Sequence, residues 1–186
     1  MPDFKTAEAQ QFWDYWRSLQ DEQLVPRKNQ FSPGQIRHLM PDLFILKCES
    51  RDICRFTLVG THHIERCGEE LTGTNFLDRV PESGKPVMAD AMGQVIGHPV
   101  ANHLLYEEIT AKGRRTMIEM IQLPLSNASG DARSIVGIAK EFEAPGYNLE
   151  PAKPHAYMSR ISMQTYLDIG AGIPEATALG SIAARP

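Results

Sequence analysis

The sequence predicts an α+β domain built on a five-stranded antiparallel sheet with helices on one face. Three observations lead to this fold class. An amphipathic aromatic helix opens the chain, two short strands follow it, and a helical insert separates those strands from three more. A chain of 186 residues, of which 42% are hydrophobic, is long enough to bury a core of this kind without the help of disulfide bonds or metal ions.

The N-terminal helix is predicted over residues 6–20. Thr6 suits the N-cap position, and Glu8 suits the first turn, where the helix dipole favours a negative charge. The large apolar side chains share one face, which the sheet or a second copy of the chain must cover. This face is the candidate partner interface and comprises Phe12, Trp13, Trp16 and Leu19.

A second, short helix is predicted over residues 33–39. Ser32, Pro33 and Gln35 stand where a capping box with proline at the first helical position would place them. Pro41 should end this helix, because the residue before a proline is pushed out of the helical region.

The first two strands are predicted as a hairpin. They cover residues 43–48 and 55–61, and residues 50–52 form the turn between them. Because side chains alternate along a strand, Phe56, Leu58 and Gly60 should share one face.

The insert and the last three strands complete the predicted domain. Thr74 is expected to cap a short turn, and Ser83 to cap a helix that runs to about residue 96. The three strands cover residues 102–110, 115–125 and 133–142. The middle one is apolar on both sides, so both of its faces should be covered.

The chain is therefore divided into three parts. The helix occupies residues 1–22, the sheet domain 23–143, and a Pro-, Gly- and Ala-rich extension 144–186. Within the extension, residues 157–167 could be ordered.

A hollow between the sheet and the insert helices is the place where a small-molecule pocket would form. Glu119 is the one charged candidate there, since a carboxylate among apolar neighbours must be paired or orient a ligand. The alternative is that it lies at the sheet edge or pairs with Arg55, Arg114 or Arg115. Apolar residues of this kind more often fill a core than line a pocket. The candidate pocket residues are Phe56, Leu58, Phe76, Met88, Met92, Tyr106 and Glu119.

The densest group of potential metal ligands is His62, His63, Glu65 and Cys67. At the end of a strand, the two histidines would point to opposite faces, and no zinc-binding spacing accompanies them, so no metal site is predicted. A haem on His98 and flavin chemistry on Cys67 are both disfavoured, and the cofactor remains unknown. No catalytic constellation is recognised.

The amino-acid composition restricts the classes of binding partner and the cellular compartment that can be expected. The net charge of −4 disfavours nucleic acid, whose phosphates need a basic face. Three cysteines form no complete disulfide set, which favours free thiols in a reducing compartment. Neither a signal peptide nor a membrane-spanning stretch is recognised, so a cytoplasmic location is expected.

The order of elements resembles the PAS fold, and more narrowly a family of short bacterial PAS-like proteins that contain little besides the sensor domain. The most specific segment is 55–61 followed by 68–73. The others are Trp13 with Trp16, 25–27 before 31–33, and Ile36 with 39–43. The resemblance covers residues 10–143. It implies a sensory or regulatory domain that is commonly dimeric.

Three functional hypotheses follow. The leading one is a PAS-type module that acts through another signalling protein and binds a small molecule in its pocket. The second is a structural homodimerisation domain with a filled core. The third is a pocket enzyme of the isomerase or dehydratase type, for which only Glu119 with a histidine could supply acid–base chemistry.

Overall fold

The computed structural model describes residues 2–130, 132–143 and 157–174. These residues form a six-stranded sheet in the order β2-β1-β5-β4-β3-β6, and every neighbouring pair is antiparallel. Two 3-10 helices, Pro33–Asp42 and Phe76–Arg79, accompany the main elements. The α-helices and strands are α1 (Ala7–Ser18), β1 (Leu43–Ser50), β2 (Ile53–Val59), α2 (Thr61–Cys67), α3 (Lys85–Gly97), β3 (Val100–Ile109), β4 (Arg115–Ser126), β5 (Ala132–Glu143) and β6 (Tyr157–Asp168).

The α+β class and the antiparallel sheet are confirmed, but the predicted number of five strands is wrong by one. The sixth strand, β6, pairs with β3 from Val100 opposite Asp168 to Ile109 opposite Tyr157. This strand coincides with residues 157–167, the part of the extension that could be ordered but was not assigned a strand. It covers the edge that β3 would otherwise leave open.

The N-terminal helix α1 packs on the sheet of its own chain. The Thr6 hydroxyl accepts a hydrogen bond from the Ala9 amide at 3.1 Å, which confirms the N-cap. Trp16 donates from its indole Nε1 to the Pro124 carbonyl of β4 at 3.0 Å. The apolar stripe of α1 therefore forms one core with the sheet face that it covers.

The opposite face of the sheet carries α2, α3 and the second 3-10 helix. Thus β4 is covered on both sides, as its two apolar faces required. In the described part of the chain, no helix is long and apolar enough to cross a membrane.

The prediction of a capping box at Ser32 is wrong. The Ser32 side chain makes no cap hydrogen bond, and the segment is a 3-10 helix that continues through Pro41 to Asp42. Both backbone groups of Ser32 are instead paired with the Tyr15 hydroxyl of α1, at 2.8 Å and 3.1 Å. Tertiary packing against α1 thus overrides the local capping signal.

The second strand is shorter than predicted, and the two histidines lie on a helix. The chain turns sharply at Gly60, where an added Cβ would lie 2.2 Å from the Met40 carbonyl oxygen. Helix α2 follows, and its buried residues, His63, Arg66 and Cys67, recur at helical spacing. Gly68 ends the helix in the left-handed region, at φ 73°.

The caps predicted for the insert are also wrong, although its helix is present. Thr74 donates its hydroxyl to the Leu71 carbonyl at 2.7 Å instead of capping the following 3-10 helix. Helix α3 begins at Lys85, with Gly84 and not Ser83 at the cap position.

Candidate functional site

Three phenylalanine rings occupy the space between the sheet and the insert helices. The Phe44 ring lies 6.2 Å from that of Phe56 and 6.4 Å from that of Phe76. Gly137 of β5 makes room for Phe44, because a Cβ there would lie 2.5 Å from the ring atom Cζ. The rings fill the hollow between the sheet and the insert helices in which a small-molecule pocket was expected.

A buried ion pair adjoins these rings. The Nε of Arg66 on α2 lies 2.9 Å from Oε1 of Glu108 on β3, and the two side chains are only 8% and 10% exposed. Burial raises the pKa of Glu108, although the Arg66 charge opposes this effect. Burial is the largest single effect on the pKa of Arg66 and lowers it, but Glu108 and the other acidic groups nearby together outweigh burial, and the net shift is upward.

His63 connects the ion pair to the first 3-10 helix. Its Nε2 lies 2.8 Å from the Asp42 carbonyl oxygen, and its Nδ1 lies 3.3 Å from the NH2 group of Arg66. A carbonyl can only accept, so the Nε2–H tautomer satisfies both contacts. Burial, and then the Arg66 charge, lower the pKa of His63 to about 4, which keeps the ring neutral near pH 7.

A cavity of about 40 Å³ remains between these groups. It has room for about one or two water molecules, and neither a haem nor a flavin fits in it. Cys67 lies on its wall, and burial raises the pKa of this thiol to about 11. The cavity is lined by Phe44, Phe56, His63, Cys67, Leu71, Phe76, Arg79, Tyr106, Glu108, Met120 and Met158.

Five of the seven candidate pocket residues lie in this core: Phe56, Phe76, Met88, Met92 and Tyr106. Leu58 does not. The register of β2 against β1 shifts between Ile45 and Leu46, so Leu58 pairs with Ile45 and packs on the α1 side of the sheet. A bulge of one residue reverses the side-chain alternation, and for this reason the prediction that Leu58 shares a face with Phe56 is wrong.

Glu119 is buried on the α1 side of the sheet as well. Its carboxylate lies 2.7 Å from the His103 Nε2 and accepts hydrogen bonds from the Lys5 amide and from Thr6. Burial raises the pKa of Glu119, but the hydrogen bonds from His103, Lys5 and Thr6 outweigh burial and leave it lowered. Its partners are thus not the arginines considered from the sequence.

The candidate interface residues on α1 are covered within the chain. Phe12 and Trp16 are fully buried, and Trp13 is nearly so. Leu19 is half-buried at the edge of the same core. Of the two alternatives for this aromatic face, the structure has the one in which the helix covers its own sheet.

His62 lies in a separate, polar groove of about 600 Å³ at one end of the sheet. Its Nδ1 lies 2.8 Å from the buried carboxylate of Asp42, which the Nζ of Lys140 also approaches at 3.2 Å. Glu65 and Lys112 line the same groove. Among residues 2–130, 132–143 and 157–174, no three His, Cys, Asp or Glu side chains are placed to hold a metal ion.

A third concavity, of about 430 Å³, separates the β1–β2 hairpin from α3. Cys48 and Cys54 face each other across the hairpin and are joined by a disulfide, whereas Cys67 is free. The expectation that all three thiols are free is therefore wrong. The hairpin register, which the cysteine count alone does not reveal, brings the first two together.

The buried ion pair of Arg66 and Glu108 was not predicted from the sequence. Two patterns in the sequence could have indicated it. Residues 63, 66 and 67 have the spacing of a buried helix face, and alternation along β3 places Glu108 on the same side as Tyr106.

Comparison with known proteins agrees with this architecture. The family model described as "PAS domain" matches residues 4–140, which is most of the chain. The chain belongs to the PAS domain family. A solved structure described as "Structure of an RNA-binding Light-Oxygen-Voltage Receptor" is similar, with 18% identity and a TM-score of 0.47, over 59% of this chain and 33% of that one. No significant match was found among curated proteins.

Proposed function

We propose that this PAS domain is a cytoplasmic sensory module that binds a small polar molecule between its sheet and α2–α3 and passes the signal on through protein–protein contacts. The observation that carries the proposal is the ion pair of Arg66 and Glu108, buried beside the aromatic rings.

A buried ion pair is weak support for a purely structural role. Desolvation of two charges costs several kcal/mol per ion, and well-packed apolar residues of similar volume often give an equally stable core. Charged groups that border a cavity can instead recognise a polar ligand, whose own groups compensate their desolvation. Because the cavity holds only about 40 Å³, the ligand must displace part of its wall.

The proposed output is a contact with another signalling protein, and a homodimer is one form that such contacts can take. In this proposal, the aromatic face of α1 that carries Trp13 and Trp16 stabilises the fold, because it is buried against β4 and β5. A signal that alters the sheet would reach the α1 surface through this packing.

A thermal-shift screen with small polar metabolites tests the proposal. At least one compound should raise the melting temperature of the wild-type chain and fail to do so for the double variant Arg66→Met with Glu108→Leu. A matched control replaces a surface pair, the exposed Glu82 and the half-buried Lys85, by alanine and should keep the response. A ligand that stabilises the wild type and the double variant equally would contradict the assigned site.

The second candidate is a structural homodimerisation domain with a filled core. The small volume of the cavity favours it. It requires a dimer in solution, which light scattering detects, together with no ligand response in the same screen. Because the first proposal also allows a homodimer, the ligand response separates the two proposals.

The proposal includes no catalytic step. An enzyme of this fold would need its acid–base pair in an open cavity. The one such pair considered from the sequence, Glu119 with a histidine, lies under Phe4 and α1, where both side chains are almost fully buried.

A further inference from the structure

We propose that the disulfide between Cys48 and Cys54 is a redox-responsive site that exchanges with small-molecule thiols through the groove beside α3. The inference rests on the proposed cytoplasmic and sensory function, since disulfides in the cytosol are usually transient and catalytic or redox-sensing. The two cysteines are partners in the hairpin register, with Cα atoms 4.0 Å apart and a sequence separation of 6 residues.

This disulfide adds little as a staple. Its stabilising effect grows with the length of the loop that it closes, and this loop is short. The same strands are already joined by a tight turn and by the hydrogen bonds of the β1–β2 ladder, and β1 is held from its other side by β5. Stabilisation of the fold therefore explains little of why this disulfide is present.

Cys48 and Cys54 line a concavity beside α3 and are 6% and 2% exposed, so this groove is the route by which a small thiol would reach the bond. Cys48 and Cys54 lie on the wall of the groove of about 430 Å³, with Glu49 and Arg51 on the hairpin side. The opposite wall belongs to α3. By contrast, Cys67 lies on the interior cavity, and burial raises its pKa to about 11, which keeps it a thiol and a poor nucleophile.

The exchange is balanced with two equivalents of thiol. A thiolate attacks one sulfur of the disulfide, a mixed disulfide forms, and the other cysteine leaves as a thiolate that takes up a proton. A second thiolate attacks the mixed disulfide at the sulfur of the small molecule. This step releases the remaining cysteine and an oxidised dimer of the small thiol. Overall, two electrons pass from the small thiols to the protein.

Reduction of the disulfide should change the packing of α3. Once the bond breaks, the two sulfur atoms separate to van der Waals distance within the core that includes Ala89 and Met92 of α3. The hairpin and α3 are also joined near the groove by Arg51 and Asp90, whose NH2 and Oδ1 atoms lie 2.8 Å apart. Because interiors are closely packed, separation of the sulfurs should loosen the contact between the hairpin and α3.

Thiol trapping tests the site with the full chain. The protein is equilibrated in buffers of reduced and oxidised glutathione, quenched with acid, alkylated in denaturant and mapped by peptide mass spectrometry. Cys67 should be alkylated throughout, whereas Cys48 and Cys54 should become alkylated together as reduced glutathione replaces oxidised glutathione, with the chain still folded by circular dichroism. Peptides from α3 should exchange backbone hydrogen several-fold faster after reduction, and peptides from α1 should not change.

Variants make the test specific. Cys67→Ser should behave as the wild type does. The pair Cys48→Val with Cys54→Val should abolish the effect of glutathione on α3, and Cys54→Ser should trap a mixed disulfide of glutathione on Cys48. Three results would each overturn the proposal: alkylation of both cysteines in oxidised glutathione, a bond that resists reduced glutathione until the chain unfolds, or exchange of α3 that ignores reduction. None of these depends on a ligand in the interior cavity, so this proposal and the sensory one can fail separately.

Discussion

The Oε2 atom of Glu119 accepts two hydrogen bonds from Thr6, one from the backbone amide and one from the hydroxyl, each at 2.7 Å. The same hydroxyl accepts a bond from the Ala9 amide and so caps α1. One buried carboxylate on β4 therefore fixes the position at which the N-terminal helix begins. Its other oxygen, Oε1, is occupied by the Lys5 amide and by His103.

The first prediction concerns this carboxylate. Glu119→Gln keeps the shape of the side chain but replaces one acceptor oxygen by an amide that faces two donors. Buried donors without acceptors cost about 1–3 kcal/mol each, so we expect a loss of about 2–3 kcal/mol in the free energy of unfolding. Urea denaturation measures the loss, and hydrogen exchange should show faster opening at the start of α1. The exposed control, Glu82→Gln, should change stability by less than about 0.5 kcal/mol.

The second prediction distinguishes folding from association at the aromatic stripe. Trp16 is fully buried and bonded to the Pro124 carbonyl, so Trp16→Ala should cost about 3–5 kcal/mol in the free energy of unfolding. The association state of the folded fraction should stay the same as in the wild type, as light scattering would show. Met40→Ala removes an apolar side chain that is 38% exposed and serves as the control. A folded, stable Trp16→Ala chain of lower mass than the wild type would contradict the intramolecular role.

The third prediction is a pH dependence from His63. Its pKa is lowered from 6.5 to about 4 in the folded chain, so its neutral form stabilises the fold fully above pH 6.5. This contribution is lost as the pH falls towards 4, and the difference corresponds to about 3 kcal/mol. The advantage of the wild type over His63→Gln should shrink by that amount between pH 7 and pH 4.

Measurement of unfolding free energies by urea at several pH values checks this prediction. Burial raises the pKa of Glu108, which acts in the opposite direction by favouring the protonated carboxyl of the folded chain at low pH. The difference between wild type and variant therefore isolates His63, whereas the total does not. His38→Gln changes an exposed histidine and serves as the control. Parallel profiles of the wild type and His63→Gln would show that the buried ring is not the titrating group.

The fourth prediction compares two glycines. In Gly137→Ala, the new methyl group would lie 2.4 Å from the Ile121 carbonyl and 2.5 Å from the Phe44 ring, so we expect a loss of roughly 1–3 kcal/mol. In Gly93→Ala, the methyl group meets nothing within 4 Å on α3, and the better helix former should add roughly 0.5–1 kcal/mol. Thermal denaturation of both variants would reveal opposite signs. Equal effects would mean that both the Ile121 carbonyl and the Phe44 ring can move away from Gly137 at little cost.

Much of the fold followed from side-chain periodicity. The helix on residues 7–18, the β1–β2 hairpin and the strands β3 to β5 were recognisable because their apolar patterns are regular. The class of helix at 33–42 and the caps of the insert were not, since distant contacts, such as that of Tyr15 with Ser32, determine them.

The candidate site was predictable to the same extent. The aromatic and methionine residues of the interior followed from pattern, but Leu58 did not, because a one-residue bulge is invisible to alternation. The ion pair of Arg66 with Glu108 and the disulfide of Cys48 with Cys54 each join residues whose proximity depends on register or on the sheet order. Composition alone does not contain this information.

The central claim is that the interior beside Arg66 and Glu108 receives a small polar molecule. Native mass spectrometry of the full chain, purified from its native host without denaturation, tests it most directly. The account predicts one bound small molecule per chain in the wild type and none in the Arg66→Met, Glu108→Leu double variant. The claim would be contradicted if the wild-type chain is detected at the mass of the polypeptide alone in repeated preparations and gains no mass with any compound of the thermal-shift screen.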